Sequence, residues 1–74
     1  MIFCTCILNQ NNIFTGDALD NIKQWRIEGN NLKLISVKKN AHFKCLSTII
    51  KLRVGLILSG SIGEYKTYIW KYYL

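Results

Sequence analysis

The sequence predicts an all-β fold, an antiparallel meander of short strands, on three observations. Half of the 74 residues are apolar, and most of these are Ile, Leu, Phe, Tyr or Trp, which suit strands better than helices. They fall in short runs separated by turn-forming Asn, Asp and Gly residues. One pattern occurs twice, each time ending in a Trp, and it predicts two similar structural units.

Seven short apolar runs are the candidate strands. Turn signals close several of them, such as the Asn-rich residues 9–12 after the first run and the segment 28–31 after the third. The fourth run alternates apolar and polar residues, which is the period of a strand. The runs comprise residues 3–8, 13–15, 22–27, 32–37, 43–52, 56–59 and 65–74.

The fifth run, residues 43–52, admits a second interpretation. Four side chains in and next to it have the spacing of a helical stripe: Leu46, Ile49, Ile50 and Arg53. No other stretch sustains an amphipathic helix. The expected fold is therefore all-β, with a strand favoured in this run as well.

The repeated pattern joins two Trp residues to two short apolar segments. Residues 13–17 lead through a turn to Trp25, and residues 56–61 lead through a turn to Trp70. The two Trp residues are 45 positions apart, within the period of about 40–45 residues that WD repeats show.

This pattern resembles the WD40 family of β-propellers over nearly the whole chain. Leu58-Ser59-Gly60-Ser61 resembles the second strand of a blade, and Tyr68-Ile69-Trp70 resembles the third strand with its signature Trp. The resemblance implies two partial blades, residues 1–39 and residues 40–74, the second without its outer strand. It also implies that the chain corresponds to the C-terminal end of a WD-repeat protein. Two blades do not close a ring, which needs roughly four to eight.

The resemblance further implies a hydrogen-bonded network in each blade. A buried Trp N–H needs an acceptor, and a Ser or Thr hydroxyl one strand away can serve. His and Asp residues of neighbouring turns would complete the network. The residues implied are Thr15, Asp20 and Trp25 in the first blade and His42, Ser59 and Trp70 in the second.

The sequence departs from the family pattern at several of these places. Arg26 and Lys71 follow the two Trp residues where the family has Asp. Ala41 precedes His42 where the family has Gly, and the turn of the second repeat offers only Glu64 as an acidic residue. These departures bear on the hydrogen-bonded network, whereas the strand pattern does not depend on them.

The charge of the chain is basic but scattered. Ten Lys and Arg residues face four Asp and Glu residues, for a net charge of +6. Only Lys38 and Lys39 are adjacent, which is typical of a solvated surface rather than of a nucleic-acid-binding patch. A small basic β-domain that binds nucleic acid is therefore the alternative function, and nucleic acid is an unlikely partner.

The sequence offers no catalytic constellation. Paired carboxylates, a nucleophile beside a base and a metal-type cluster are all missing, so we expect no enzyme activity, metal, cofactor or small-molecule substrate. Cys4, Cys6 and Cys45 have neither redox nor zinc spacing and are interpreted as small apolar residues in a reducing compartment. No apolar run approaches the roughly 20 residues of a membrane span. We expect a cytoplasmic location, with the nucleus as an alternative.

These observations predict a non-catalytic protein–protein interaction or scaffold module, whose partners are other proteins or further propeller blades. By the resemblance, a partner would dock on loops that carry Phe43, Lys44, Ile62 and Glu64. Phe43 is the expected anchor, because an exposed aromatic ring with polar neighbours is a typical hot spot. The alternative is that Phe43 opens a strand and points into the core between the blades.

Overall fold

The computed structural model describes residues 2–39, 41, 46–61 and 67–73 as strands joined by turns. The described residues contain no helix, and the all-β prediction is confirmed. The described part of the ambiguous fifth run, from Leu46 onward, forms a strand. The strands are β1 (Ile2–Asn9), β2 (Asn12–Asp17), β3 (Ile22–Glu28), β4 (Asn31–Lys38), β5 (Leu46–Arg53), β6 (Leu56–Ser61) and β7 (Thr67–Lys71).

Two antiparallel sheets divide these strands in chain order. The first sheet has the order β1-β2-β3-β4 and the second has the order β5-β6-β7. Each described strand pairs with the next strand of its own sheet, so the topology is a meander, as predicted. The sheets do not close into a barrel or ring.

The second sheet repeats the strand register of the first. On β2 and β3, Ile13 pairs with Trp25, and on β6 and β7, Ile57 pairs with Trp70. Five consecutive pairs match in this way, with an offset of 44 residues between β2 and β6 and 45 between β3 and β7. The extra residue therefore lies in the connection between β6 and β7.

The irregularities of the two sheets are repeated as well. The β1–β2 pairing shifts between Ile2 and Cys4 and again between Ile7 and Asn9. The β5–β6 pairing shifts at the two corresponding places, 44 residues later. A backbone hydrogen bond from Ile27 N to Asn11 O likewise has its counterpart from Tyr72 N to Gly55 O. The two sheets are therefore copies of one structural unit.

The core lies between the sheets. On the first sheet, the side chains of one face are buried, among them Cys6, Phe14, Ile22 and Gln24. On the second sheet, the buried face carries Ile49, Ile57 and Ser59, and Tyr72 follows it after β7. Among the described residues, the apolar core comprises Cys6, Leu8, Phe14, Ile22, Ala41, Ile49, Ile57 and Tyr72. Burial of this apolar area is the main driving force for the folding of a chain of this size.

The two sheets meet as a wedge. Their backbones approach each other along β1, β2 and β5, whereas β3 and β4 lie farther from the second sheet. A sandwich of aligned sheets would instead keep a nearly constant separation of about 10 Å. The open side of the wedge leaves the cleft described below.

Candidate protein-interaction site

Both Trp residues donate a hydrogen bond to a hydroxyl on the neighbouring strand. Trp25 Nε1 donates to Thr15 Oγ1 at 2.8 Å, and Trp70 Nε1 donates to Ser59 Oγ at 2.7 Å. Trp25 pairs directly with Ile13, and Thr15 lies two positions beyond Ile13 on the same strand. Trp70 pairs directly with Ile57, and Ser59 lies two positions beyond Ile57, so the two pairs occupy matching places. The structure thus places four of the six predicted network residues together in two equivalent pairs.

The turn between β2 and β3 is organised by Asp17. Its Oδ1 accepts hydrogen bonds from Leu19 N at 3.0 Å and Asn21 N at 3.1 Å, and its Oδ2 lies 3.5 Å from Lys23 Nζ. Burial alone would raise the pKa of Asp17, but the two backbone hydrogen bonds and the Lys23 charge outweigh it, and the pKa is lowered. Asp17 was not among the predicted site residues, although the Gly16-Asp17 pair that ends residues 13–17 is a turn signal.

Asp20, the acidic residue predicted for this turn, lies at its far side. Its φ of 62° is in the left-handed region, which Asp tolerates better than most residues. The backbone N–H of Asp20 donates to Asp17 O, and its carbonyl oxygen accepts from Ala41 N at 2.8 Å. Asp20 therefore ties this turn to the connection between the two sheets.

Polar and aromatic contacts between described residues cross from one sheet to the other. The rings of Phe14 and Tyr72 meet edge to face with centroids 5.2 Å apart. Gln24 Nε2 donates to Tyr73 O at 2.8 Å. Two further contacts are a hydrogen bond from Lys51 Nζ to Leu8 O at 3.3 Å and the Lys38 ammonium, 4.5 Å from the centre of the Trp70 ring.

A cleft of about 280 Å³ lies on the open side of the wedge. Its walls are the inner face of β3 and β4 and the end of the chain after β7, with Gln24, Ser36, Lys38, Trp70 and Tyr72 among its lining residues. Among the described residues the lining is mostly apolar, with Lys38, Lys71, Tyr72 and Tyr73 as its titratable groups. The cleft therefore offers an apolar binding surface with basic and phenolic groups at its walls.

The outer faces of both sheets carry exposed apolar residues. The β1–β4 outer face includes Ile7, Ile13, Trp25, Leu34 and Val37, of which Ile7 is 72% exposed, and it also carries Thr5 and Lys23. The β5–β7 outer face includes Ile50, Leu58 and Ile69, of which Ile69 is 61% exposed, and it also carries Thr48, Thr67 and Lys71. Contiguous exposed apolar surface of this kind commonly marks a protein-binding site.

The predicted docking loops lie outside the described residues. This applies to Phe43, Lys44, Ile62 and Glu64, and also to His42, the remaining network residue. The outer faces are functional candidates that the sequence analysis missed. A signal was present, because strands such as β5 and β6 carry apolar residues at consecutive positions and not only at alternate ones.

The described cysteines have the properties of apolar core residues. Cys6 is buried and Cys4 is half-buried, and burial raises the pKa of both thiols from the usual 9.0. Among the described side chains, no three His, Cys, Asp or Glu residues converge as a metal site requires. None of the described segments forms a helix with the length and apolarity that a membrane crossing needs.

We compared the chain with known protein families, curated proteins and solved structures. No protein-family model, curated protein or solved structure matches the chain.

Proposed function

We propose that this chain is a non-catalytic protein–protein interaction module built from two consecutive WD-type propeller blades. Its partners are proteins that cover the outer faces of its sheets. The observation that carries the proposal is the repeated Trp–hydroxyl hydrogen bond, which occurs at the same register in both sheets.

The hydrogen bond supports the blade assignment because it links the residues that the WD40 resemblance selected. A chance pair of Trp residues would have no reason to find hydroxyl acceptors at equivalent diagonal positions. The wedge between the sheets supports the assignment independently, since blades arranged around an axis come closest at their inner strands. In this arrangement β1 and β5 are the inner strands.

The outer faces support the interaction function. In a repeat architecture each unit buries its apolar faces against its neighbours, so an uncovered apolar face of a unit is available to another partner. The outer faces identified above retain the apolar composition of surfaces that are covered in a complex. The chemistry of the described residues therefore favours association with protein over catalysis.

The experiment that tests this function compares three variants of the tagged chain. Ile7→Asp places a carboxylate on the β1–β4 outer face, and Ile69→Asp does so on the β5–β7 outer face. Val54→Asp is the matched control, because Val54 is an exposed apolar residue in the β5–β6 turn, away from both faces. Circular dichroism first establishes that each variant is folded.

We expect the wild type and the Val54 variant to bind protein, either a second protein or an untagged copy. We expect the two face variants to lose this binding. Bound nucleic acid that dissociates steeply with rising salt would instead indicate the basic nucleic-acid-binding domain. Equal protein binding by all four chains would contradict the proposal that the outer faces carry the function.

The docking loops remain a separate part of the proposal. Phe43→Ala and Lys44→Glu test them in the same assay, after the same check of folding. Loss of partner binding in these variants, with the face variants unaffected, would move the binding site from the sheet faces to the loops.

A further inference from the structure

We propose that copies of this chain associate head to tail, the β5–β7 outer face of one copy docking on the β1–β4 outer face of the next. The contact repeats the interface that joins the two sheets inside each copy. This inference rests on the proposed interaction function and names its partner, a second copy of the chain.

The internal interface is built from two non-equivalent faces of the same unit. The first sheet buries the face that carries Phe14 and Gln24. The second sheet buries the face that carries Ile57 and Trp70, and these two residues correspond to Ile13 and Trp25 on the outer face of the first sheet. The outer face of each sheet therefore corresponds in register to the face that the other sheet buries in the internal interface.

On the second sheet, the outer face matches part of the buried face of the first sheet, with Thr48 and Thr67 at the places of Cys4 and Ile22. With the offsets of 44 and 45 residues, Cys6 corresponds to Ile50, Phe14 to Leu58 and Gln24 to Ile69. All three counterparts are apolar, although Ile50 and Ile69 are largely exposed. This face can take the place of the buried face of the first sheet against another copy.

On the first sheet, the outer face matches the buried face of the second. Lys51 corresponds to Ile7, Ile57 to Ile13, and Trp70 to Trp25. The ring of Trp25 is tied to Thr15 as the ring of Trp70 is tied to Ser59, so the two Trp side chains are held in equivalent positions. The receiving surface for the second copy is therefore already formed.

Two polar contacts of the internal interface have apolar counterparts outside. Lys51 bonds to Leu8 O and Gln24 bonds to Tyr73 O across the internal interface, whereas the corresponding Ile7 and Ile69 are apolar. At these two positions an interface between copies buries no unpaired side-chain polar group, which favours its formation.

Because the contact is head to tail, each added copy exposes a free face to which a further copy can bind. Such interfaces give a closed ring when their rotation closes and a filament when it does not. The wedge between the sheets supplies a rotation in one direction at every contact. With two units per copy, rings of about four to eight units contain roughly two to four copies.

The experiment measures mass against concentration for the purified chain, by light scattering after size exclusion and by native mass spectrometry. We expect the wild type and Val54→Asp to form a discrete oligomer of the same size. We expect Ile7→Asp and Ile69→Asp to be monomers when each is alone, since a desolvated carboxylate weakens such a contact by about a hundredfold or more.

Mixing the two face variants distinguishes head-to-tail contact from a symmetric one. Ile7→Asp keeps its β5–β7 outer face and Ile69→Asp keeps its β1–β4 outer face, so the mixture forms one heterodimer and nothing larger. A symmetric dimer through either face would survive in one of the single variants. That result would overturn the proposal.

Two conservative variants test whether the internal contact geometry is repeated. Ile7→Lys reproduces Lys51, and Ile69→Gln reproduces Gln24, so both variants should retain the oligomer that the Asp variants lose. Loss of the oligomer in these two variants would contradict the repeated geometry. A wild type that stays monomeric at all concentrations would overturn self-association, while binding of a different protein through the same faces would leave the proposed function standing.

Discussion

The hydroxyl of Ser59 accepts the indole N–H of Trp70 at 2.7 Å, and Ser59 itself is completely buried. The Trp70 ring is only partly buried, so its polar atom is aimed inward while part of its apolar surface remains accessible. The Trp25–Thr15 pair has the same arrangement at 2.8 Å. A buried hydroxyl thus fixes the orientation of a ring that borders an exposed or intersheet surface.

Ser59→Ala should destabilise the protein. The substitution removes the acceptor of the Trp70 N–H in a buried setting, and the expected loss in the free energy of unfolding is about 1–3 kcal/mol. Urea denaturation followed by Trp fluorescence measures it. Ser47→Ala is the matched control, because the hydrogen bond from the Ser47 hydroxyl to Gly60 O is long, at 3.4 Å. Equal losses in the two variants would contradict a special role for the Ser59–Trp70 pair.

Asp17 should make the stability of the protein depend on acid pH. Its pKa in the folded protein is lowered from 3.8, so the carboxylate stabilises the fold above about pH 4. That contribution is lost as the pH falls through the lowered pKa. Measured by urea unfolding between pH 7 and about pH 2, the difference in stability between wild type and Asp17→Asn should shrink in acid. A difference that is constant across this range would show that the charge of Asp17 does not matter.

Phe14→Ala should separate the two sheets. The ring is 4% exposed and packs edge to face against Tyr72 of the other sheet. Its removal costs about 3–5 kcal/mol, which is comparable with the whole stability of a small domain. We expect loss of cooperative thermal unfolding in circular dichroism. Leu19→Ala, at a 74% exposed turn position, serves as the control and should leave the transition unchanged.

The thiols of Cys4 and Cys6 should react slowly in the folded protein. Burial raises their pKa, so the thiolate fraction at pH 8 is smaller than in the unfolded chain. In a Cys45→Ser background, a colorimetric thiol reagent should modify both residues slowly in buffer and rapidly in urea. Rapid modification of Cys6 in buffer would contradict its burial.

The sequence was sufficient to predict the strands, because turn residues separate them and because the Trp pattern repeats. It was not sufficient to predict which face of each strand is buried. The stretch from Thr48 to Leu52 contains Ile49, Ile50 and Leu52 in close succession, so the period of two is obscured. Both faces of these sheets carry apolar residues, and the binary pattern distinguishes faces only when one of them is polar.

Part of the candidate site was predicted from the sequence, namely the part that depends on residues close together within each repeat. The Trp–hydroxyl pairs follow from a motif within each repeat, and the structure brings Trp25 to Thr15 and Trp70 to Ser59. The role of Asp17 depends on backbone N–H groups that converge only once the turn has formed. The outer faces depend on how the two sheets pack, which is a long-range property.

The repeated pairing shifts in β1 and β5 have a consequence for folding fidelity. Slippage of a strand by one residue exchanges its two faces, and a polar face normally makes that exchange unfavourable. Here both faces carry apolar residues, so burial discriminates weakly against a slipped strand. The irregularities beside Cys4 and Ile7, and those 44 residues later, add an extra residue to one strand at fixed places. In a slipped strand these extra residues would lie at the wrong positions of the pairing. The irregularities therefore help to fix the strand register and disfavour mispaired, aggregation-prone forms.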